Sequence, residues 1–431
     1  MKRWLCLGLT FASLLRAAPG QTNGIFADFS TSLGAFTVWL DHERAPRAVA
    51  SFVGLATGET GWLDMQSNVW HRPFYDGSLF HRIVKTVESN EVSVWTNGIA
   101  IQGGGLLWRS VNTNTGVVTT NFAGPGYAML EGVTNGLAHS NGVISMANSG
   151  PNTDGSQFFI ATTNVPYWDG SYSVFGHVTT GMDVVTSIAA VAVQGSGSRP
   201  VQDVVLSHVA IRRVGAAAEA FDVAAQGVPA PETVPARISS LGTNVALAVE
   251  LATQTKPLMF SDATDVGAFS GWDHQTMIPG LGFYTNASTV LTQTWAAVDL
   301  GARHFFHASR VRYPTPITAP TNHRGRTYTF MWNTTPVVTN ESHFGANAST
   351  PGVSYEWAGT NAVVTNQLLS GFESWTQDAY SAYLVSLDSR FYYYYYSLGF
   401  NPGARTNRFS CRRVHGISGA TLQFTGTFTV D

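Results

Sequence analysis

Arg82, Asn148 and Gln157 are polar residues in the first half of the chain whose hydrogen-bonding groups could bind a ligand. Arg82 ends the motif Phe80-His81-Arg82, and both amides lie in the segment 141–160. Gly, Pro, Asn and Asp fill the middle of that segment and apolar residues its flanks, which is typical of a tight loop between two strands. Such a loop displays polar groups on a surface. Arginine keeps its proton and presents rigid donors, so Arg82 is suited to hydrogen bonding.

The segment 141–160 closely resembles the most characteristic segment of the cyclophilin-type peptidyl-prolyl isomerases. The matching residues are Ser145-Met146-Ala147-Asn148 and Gly155-Ser156-Gln157-Phe158-Phe159. Two further blocks resemble the same family: 74–84, which contains Phe80-His81-Arg82, and 167–178. The resemblance covers about residues 24–214. It implies a mainly β fold, a closed antiparallel β-barrel capped by two helices.

The resemblance also implies isomerisation of X–Pro bonds without a covalent intermediate, metal or cofactor, on proline-containing polypeptides. Arg82 would be the catalytic cation, and Gln157 would bind the substrate backbone beside it. Gln102 would orient the arginine, and the backbone of Asn148 would fix the peptide. The substrate-binding positions implied in this way are His81, Ile99, Gln102, Met146, Ala147, Asn148, Ser149, Phe159, Tyr167, Trp168 and Tyr172.

Each of these residues also has an ordinary structural interpretation. Arg82 could form a surface ion pair, Gln157 could be an amide at a strand edge, and Phe159 and Met146 could pack in the core. Because all of these residues occur together, in the order found in the family, the functional interpretation is favoured. The competing hypothesis is a non-catalytic proline-peptide-binding or surface-structural protein with a degenerate domain.

Three departures from the family pattern alter the pocket, and two of them, Ile99 and Tyr172, favour that second hypothesis. Ile99 replaces an aromatic wall residue, and Tyr172 replaces a usual histidine. Tyr167 aligns with a wall position that is often Trp, with Trp168 next to it, so the register could differ by one. In addition, Lys85–Asn97 resembles an insertion that could shade or extend the cleft.

The elements that must position these residues follow from local patterns. Gly24 to Asp41 predicts a hairpin, and Ala45 to Ala56 predicts a helix, with a proline at its start and a glycine after its end. Residues 59–73 are predicted to be a loop. Residues 181–188 form a second helical pattern, and Val204 to Val214 predicts the strand that closes the barrel.

The second half differs in composition. Residues 215–236 are rich in Ala, Pro and Glu without a sustained period, so they predict a linker. Residues 237–431 contain short strand-like runs between Gly, Asn and Pro loops, which predicts a second all-β domain of unknown family. The run Tyr392 to Tyr396 would place rings on both faces of a strand, either covered by loops or exposed for contact with a surface, carbohydrate or protein.

Composition sets limits on partners and compartment. The 431 residues carry a net charge of only -3, and no basic stripe suggests nucleic-acid binding. Residues 1–20 have the basic start, apolar middle and small-residue end of a secretory signal, and the apolar part is too short to span a bilayer stably. We therefore expect an exported protein, periplasmic, extracellular or at the cell surface. Removing that signal leaves Cys411 as the only thiol, which is expected to be a core residue.

Overall fold

The computed structural model describes most of the first half of the chain and shorter stretches of the second. The residues described are 23–64, 68–85, 98–111, 118–195, 198–234, 236–241, 244–251, 255–256, 259–263, 274–277, 289–296, 305–314, 318–320, 323–334, 337–344, 352–358, 361–368, 374–377 and 379–431. The predicted signal segment and all but the first residue of the predicted insertion lie outside these residues.

A nine-stranded antiparallel sheet forms the first domain. Its strands in chain order are β1 (Gly24–Thr31), β2 (Gly34–Leu40), β3 (Ser78–Phe80), β4 (Arg82–Val84), β5 (Ala100–Gly103), β6 (Val143–Met146), β7 (Phe158–Ala161), β8 (Val174–Thr180) and β9 (Val204–Val214). They pair in the order β3-β9-β1-β2-β8-β6-β7-β5-β4. A single bridge between Leu79 and Gly105 links the two ends, so the sheet is a nearly closed barrel. This confirms the predicted barrel.

Two helices cover the barrel, as predicted. Helix α1 (Pro46–Thr57) has proline in its first turn and ends at Gly58, whose positive φ of 81° suits glycine at a helix C-terminus. Helix α2 is Met182–Ala189. The side chain of Phe52 on α1 is fully buried and contacts the ring of Tyr75 at a centroid distance of 5.0 Å. Among the described residues, no helix is long and apolar enough to cross a membrane.

Smaller elements connect the barrel strands. Three two-stranded ribbons pair Trp62–Leu63 with Val69–Trp70, Leu106–Val111 with Val118–Ala123, and Val193–Gln194 with Arg199–Pro200. Single turns of 3₁₀ helix occupy Pro166–Trp168 and Ala224–Gln226. The predicted loop 59–73 therefore contains one short ribbon.

The segment predicted to be a linker is partly folded. Its first residues form the short helix α3 (Ala216–Glu219), and Ala218, Phe221 and Val223 are buried in the barrel's apolar core. Farther along, the strand Ala230–Val234 pairs with Phe305–Arg312 of the second region. The sequence lacks a long period here because the elements are only a few residues long.

The second region is all β, as predicted. Its largest sheet contains β10 (Thr327–Trp332), β11 (Val338–His343), β12 (Gly352–Ala358), β13 (Asn361–Leu368), β14 (Ser374–Gln377), β15 (Ser381–Leu387), β16 (Tyr392–Gly399), β17 (Asn407–His415) and β18 (Thr421–Val430). These pair in the order β13-β12-β11-β10-β18-β17-β16-β15-β14. The strands of the smaller sheets are Ala230–Val234, Ala236–Leu241, Asn244–Leu251, Thr255–Lys256, Met259–Ala263, His274–Met277, Thr289–Ala296 and Phe305–Arg312.

The tyrosine run lies on β16 and divides between the two faces of the sheet. Tyr394 and Tyr396 are buried in the core of the second region, where Tyr396 stacks on Phe330 at 4.4 Å. Tyr393 and Tyr395 lie on the opposite face and are partly exposed. Cys411 is buried in the same core, and burial raises the pKa of its thiol, which is consistent with a packing role.

A buried asparagine joins the two regions. The Nδ2 atom of Asn152 donates to the carbonyl oxygens of Tyr380 and Phe400 at 3.2 and 3.3 Å, and the side chain of Asn152 is completely buried. Beside it, the guanidinium of Arg408 contacts the carboxylate of Glu131. The loop that follows β6 is therefore held directly against the second region.

We expect Glu131 to give this interface a pH dependence. Burial raises the pKa of the Glu131 carboxyl from 4.5 to about 7, although the charge of Arg408 opposes the rise. The folded protein thus binds this proton more tightly than the unfolded chain. The resulting stability is complete below pH 4.5 and is lost as the pH rises through 7. The difference of about 2.5 between the pKa of Glu131 in the folded protein and in the unfolded chain corresponds to roughly 3 kcal/mol of folding stability.

The measurement is the free energy of unfolding of the wild type minus that of Glu131→Gln, between pH 4.5 and 8. We expect this difference to fall by up to roughly 3 kcal/mol across that range. Glu59→Gln, at an exposed carboxylate paired with Arg213, is the control and should leave the pH profile of the wild type in place. A difference that does not vary with pH would mean that Glu131 has an ordinary pKa.

Candidate functional site

Strand pairing brings the predicted polar residues together on one side of the barrel. Arg82 on β4 is opposite Gln102 on β5, and Gln102 is in turn opposite Phe159 on β7. Gln157 immediately precedes β7. Residues that are far apart in the sequence therefore lie side by side on three neighbouring strands.

A chain of hydrogen bonds fixes the arginine. Nη1 of Arg82 donates to Oε1 of Gln102 at 3.3 Å, and Nε2 of Gln102 donates to Oε1 of Gln157 at 3.0 Å. Nε2 of Gln157 donates to the carbonyl oxygen of Phe122 at 3.0 Å. Within the described part of the chain no carboxylate pairs with Arg82, which is exposed. The guanidinium is thus oriented by a neutral amide and keeps its charge available to a ligand.

An aromatic cluster lies beside this chain of hydrogen bonds. The ring of Phe159 is 5.0 Å from that of Trp168 and 5.4 Å from that of Tyr172, both edge to face. Burial raises the pKa of the Tyr172 hydroxyl, and the positive charge of Arg82 opposes the rise. Tyr172 therefore remains a neutral hydrogen-bonding group near the arginine at physiological pH. Phe159 itself is only 5% exposed, so the partly exposed rings of Trp168 and Tyr172 supply most of the accessible apolar surface next to the fixed cation.

The two neighbouring aromatic residues of the 3₁₀ turn differ in their surroundings. Trp168 is partly buried and contacts Phe159, whereas Tyr167 is 63% exposed and contacts only Trp168 within the aromatic cluster. The wall contact expected near this position is therefore made by Trp168. Ile99 is partly buried and packs, like Trp168, against the cluster of Val143, Ala161 and Val174. Ile99 therefore contributes an aliphatic contact to the packing next to the aromatic cluster and supplies no ring.

Two further predicted substrate-binding residues, Met146 and His81, are buried outside the aromatic cluster. Met146 is fully buried in the barrel core, so its assignment to the wall is wrong: on β6 it points inward with Ile144. His81 is also buried, and its ring stacks on Phe122 at 4.2 Å. Burial lowers the pKa of His81 to about 4, so the imidazole is neutral at physiological pH. Phe122 covers His81. The sequence could not identify it as a neighbour because it belongs to the separate two-stranded ribbon that follows β5.

The turn after β6 is held by side chains, which leaves backbone groups open. Nδ2 of Asn148 donates to Oδ1 of Asp154 at 3.0 Å, and its Oδ1 accepts from the N–H of Gly150. The N–H of Ala147 donates to the carbonyl oxygen of Gln157 at 2.8 Å. The backbone N–H and C=O of Asn148 make no hydrogen bond to any other described residue. They are therefore open to hydrogen bonding with an extended peptide.

A buried histidine that sequence reasoning missed anchors the aromatic cluster. Nδ1 of His139 is 2.7 Å from Oδ1 of Asp169, and its Nε2 is 3.2 Å from Oγ of Ser145. Its ring stacks on Phe159 at 5.8 Å. Burial lowers the pKa of His139, while the hydrogen bond to Asp169 opposes that change. His139 therefore fixes the turn that carries Trp168, and no local pattern in the sequence marked it.

A pocket of about 310 Å³ extends from this site along the turn. Gln102 and Gln157 line it together with Ser149 and Thr153 of the turn. The described residues contain no group of three or more His, Cys, Asp or Glu side chains that could hold a metal ion. The site can therefore bind an extended chain along its length, with an apolar group held beside Arg82.

Comparison with known proteins agrees with this geometry. Residues 26–211 match the family model described as cyclophilin-type peptidyl-prolyl cis-trans isomerase. Peptidyl-prolyl cis-trans isomerase B of Streptomyces anulatus is 31% identical over 191 residues, which are 43% of this chain and 96% of that protein. The chain belongs to the cyclophilin family. The residues outside the matched segment correspond to nothing in that relative.

Other cyclophilins match over the same part of the chain. Peptidyl-prolyl cis-trans isomerase-like 2 of Cryptococcus neoformans is 32% identical over 192 residues, and the chain spans only 28% of that relative's length. A crystal structure of a cyclophilin-type isomerase from Cryptosporidium parvum is 22% identical, covers 44% of this chain and 98% of that one, and aligns with a TM-score of 0.32.

Proposed function

We propose that residues 24–214 catalyse the cis–trans isomerisation of X–Pro bonds in polypeptides. The observation that carries this proposal is the arrangement of Arg82, Gln102 and Gln157 beside the aromatic ring of Phe159. The arginine is held by amides, has no carboxylate partner among the described residues, and borders an apolar surface that suits a proline ring.

The chemistry follows from the barrier to rotation. Amide resonance gives the X–Pro bond a barrier of roughly 18–20 kcal/mol, and a catalyst must weaken that resonance while the bond twists. In the twisted state the prolyl nitrogen becomes pyramidal and its lone pair, no longer delocalised into the carbonyl, can accept a hydrogen bond from the guanidinium of Arg82. Phe159 and Trp168 hold the ring, and the backbone of Asn148 holds the preceding residues. Because the bond to Arg82 strengthens only as the nitrogen pyramidalises, it lowers the barrier rather than merely binding substrate.

Exchange NMR on a ¹³C-labelled Ala-Ala-Pro-Ala peptide tests the proposal with the full chain. We expect a catalytic amount of protein to accelerate cis–trans exchange, which takes tens to hundreds of seconds without it. If the peptide resonances shift on addition of protein but the exchange rate stays at the uncatalysed value, the domain binds proline peptides and does not isomerise them.

We further propose that the protein is exported and assists the folding of extracytoplasmic polypeptides. The support is the order of residues 1–20, a basic start, an apolar middle and a small-residue end. N-terminal sequencing of the protein recovered from the extracytoplasmic fraction of an expressing cell tests this. Export predicts a new N-terminus close to residue 21, and an intact Met1 in the cytoplasmic fraction alone would contradict it.

A further inference from the structure

The second region has a groove on the outer face of its largest sheet. Its volume is about 610 Å³, and its most exposed ring is Tyr383, which is 42% exposed. Tyr395 and Arg412 form its centre, with Gln423 and Asn333 at its border. We call these five residues and the space between them the tyrosine groove.

The tyrosine groove lies on the same sheet face as the contact with the cyclophilin domain. Residues two apart on a strand share a face. Along β16 and β17, three cross-strand pairs follow one another on this face: Gly399 with Arg408, Ser397 with Ser410, and Tyr395 with Arg412. They lie about 7 Å apart in succession. The face therefore forms a continuous strip from Gly399 to the groove.

The first two pairs of this strip are covered by the turn of the cyclophilin domain. A Cβ atom placed on Gly399 would lie 2.4 Å from Cβ of Pro151, and one placed on Gly150 would lie 2.5 Å from Cβ of Ser397. Ser397 and Ser410 also line the tyrosine groove, and the third pair is open. The tyrosine groove thus begins directly beside Gly150 and extends past the third pair.

The other side of the same turn lines the proposed peptide-binding pocket. Ser149 and Thr153, which belong to the same turn as Gly150, line that pocket together with Gln102. Ser149 is exposed. A polypeptide that leaves the pocket past Ser149 therefore needs only a few extended residues, at about 3.3 Å each, to enter the tyrosine groove.

The charge of the groove indicates what it would bind. The guanidinium of Arg412 lies over the ring of Tyr395 at 4.7 Å, and no carboxylate among the described residues pairs with it. Residues 379–431 contain five arginines and two aspartates, although the whole chain has a net charge of -3. One of those aspartates, Asp388, is already paired with Arg390. An exposed cation and exposed rings favour a segment with acidic and aromatic side chains.

We propose that the tyrosine groove binds an extended segment of the same polypeptide whose X–Pro bond occupies the cyclophilin site, and that it selects segments with acidic and aromatic side chains. This proposal rests on the proposed isomerase function in placing the X–Pro bond at the cyclophilin site. Binding of the segment by the groove is measured separately. The second region would then raise the affinity for long unfolded chains over short peptides.

Fluorescence anisotropy with the full chain tests the groove independently of catalysis. The probes are a labelled Ala-Ala-Pro-Ala peptide and two longer ones, each extended by about eight Asp, Tyr and Gly residues, one before and one after this core. Eight residues span roughly 26 Å when extended. We expect one of the longer probes to bind about tenfold more tightly than the short one. In Tyr383→Ala and Arg412→Ala that ratio should fall to about twofold or less, since each removes one binding group.

The matched control is Ile417→Ala, which removes another exposed side chain of the same region, 78% exposed and outside the groove. It should keep the wild-type ratio. The proposal is overturned if neither extension tightens binding, if the gain survives in both groove variants, or if a glucose hexasaccharide displaces the long probe with higher affinity than an unlabelled copy of it. If the isomerase proposal fails, the exchange rate of the short peptide is unchanged in the NMR experiment. The ratio of affinities for the long and short probes does not depend on that rate and still tests the groove.

Discussion

Replacing Arg82 by alanine is expected to lower kcat/KM for X–Pro isomerisation by about 10²- to 10³-fold. This is the range observed when one positioned donor that stabilises developing charge is removed from an active site. The loss should appear in kcat, while the affinity for the peptide changes little, because the guanidinium donates to the prolyl nitrogen mainly in the twisted state. The measurements are exchange NMR for the rate and anisotropy for the affinity.

Arg82→Lys separates the charge from the geometry of the guanidinium. Lysine keeps a positive charge but lacks the planar group that reaches Gln102 and a substrate nitrogen together, so we expect it to recover only a small part of the lost rate. Arg405→Ala, which removes an exposed arginine far along the chain, should keep the wild-type rate. If Arg82→Ala retains more than about half of the wild-type kcat, donation by Arg82 is not the source of catalysis and the mechanism proposed here is wrong.

The sequence predicted the barrel well because its elements have local signals. The hairpin of β1 and β2, the proline at the start of α1 and the strand β9 could each be located from patterns of a few residues. The proximity of Arg82, Gln102 and Gln157 is different. These residues are 20 and 55 positions apart along the hydrogen-bonded chain, and only strand register brings them together. The order of motifs shared with the family indicated that these residues meet. The periodicity of the sequence alone could not predict which strands pair or in what register.

The errors share a physical cause. Alternation along a strand shows that neighbours face opposite sides, but it does not show which side is the core. Met146 was assigned to the site from the family resemblance, and strand alternation could not show that its side chain packs inside the barrel. His139 and the contact of Asn152 with the second region were missed for a related reason. Their partners include Asp169, Tyr380 and Phe400, which are 30, 228 and 248 positions away, so no local pattern marks them.

The largest loss of stability is expected from Phe158→Ala. Phe158 is completely buried, and its ring lies within 6.0 Å of those of Phe29, Phe52, Tyr75 and Phe80. Removing it leaves a cavity that a barrel closed by backbone hydrogen bonds cannot easily fill, so we expect the free energy of unfolding to fall by about 3–5 kcal/mol. Urea unfolding followed by tryptophan fluorescence and circular dichroism measures the change.

Leu33→Ala is the control in the same domain. Leu33 lies in the turn between β1 and β2 and is 46% exposed, so its replacement should change the free energy of unfolding by no more than about 0.5 kcal/mol. Phe158 also lies between Gln157 and Phe159, two residues of the site. Below the urea transition, Phe158→Ala should therefore also lower kcat/KM, because a backbone that moves toward the cavity moves both neighbours away from Arg82. A variant that loses stability but keeps full kcat/KM would show that the site is held by the hydrogen bonds of β5 and β7 and does not depend on packing beneath them.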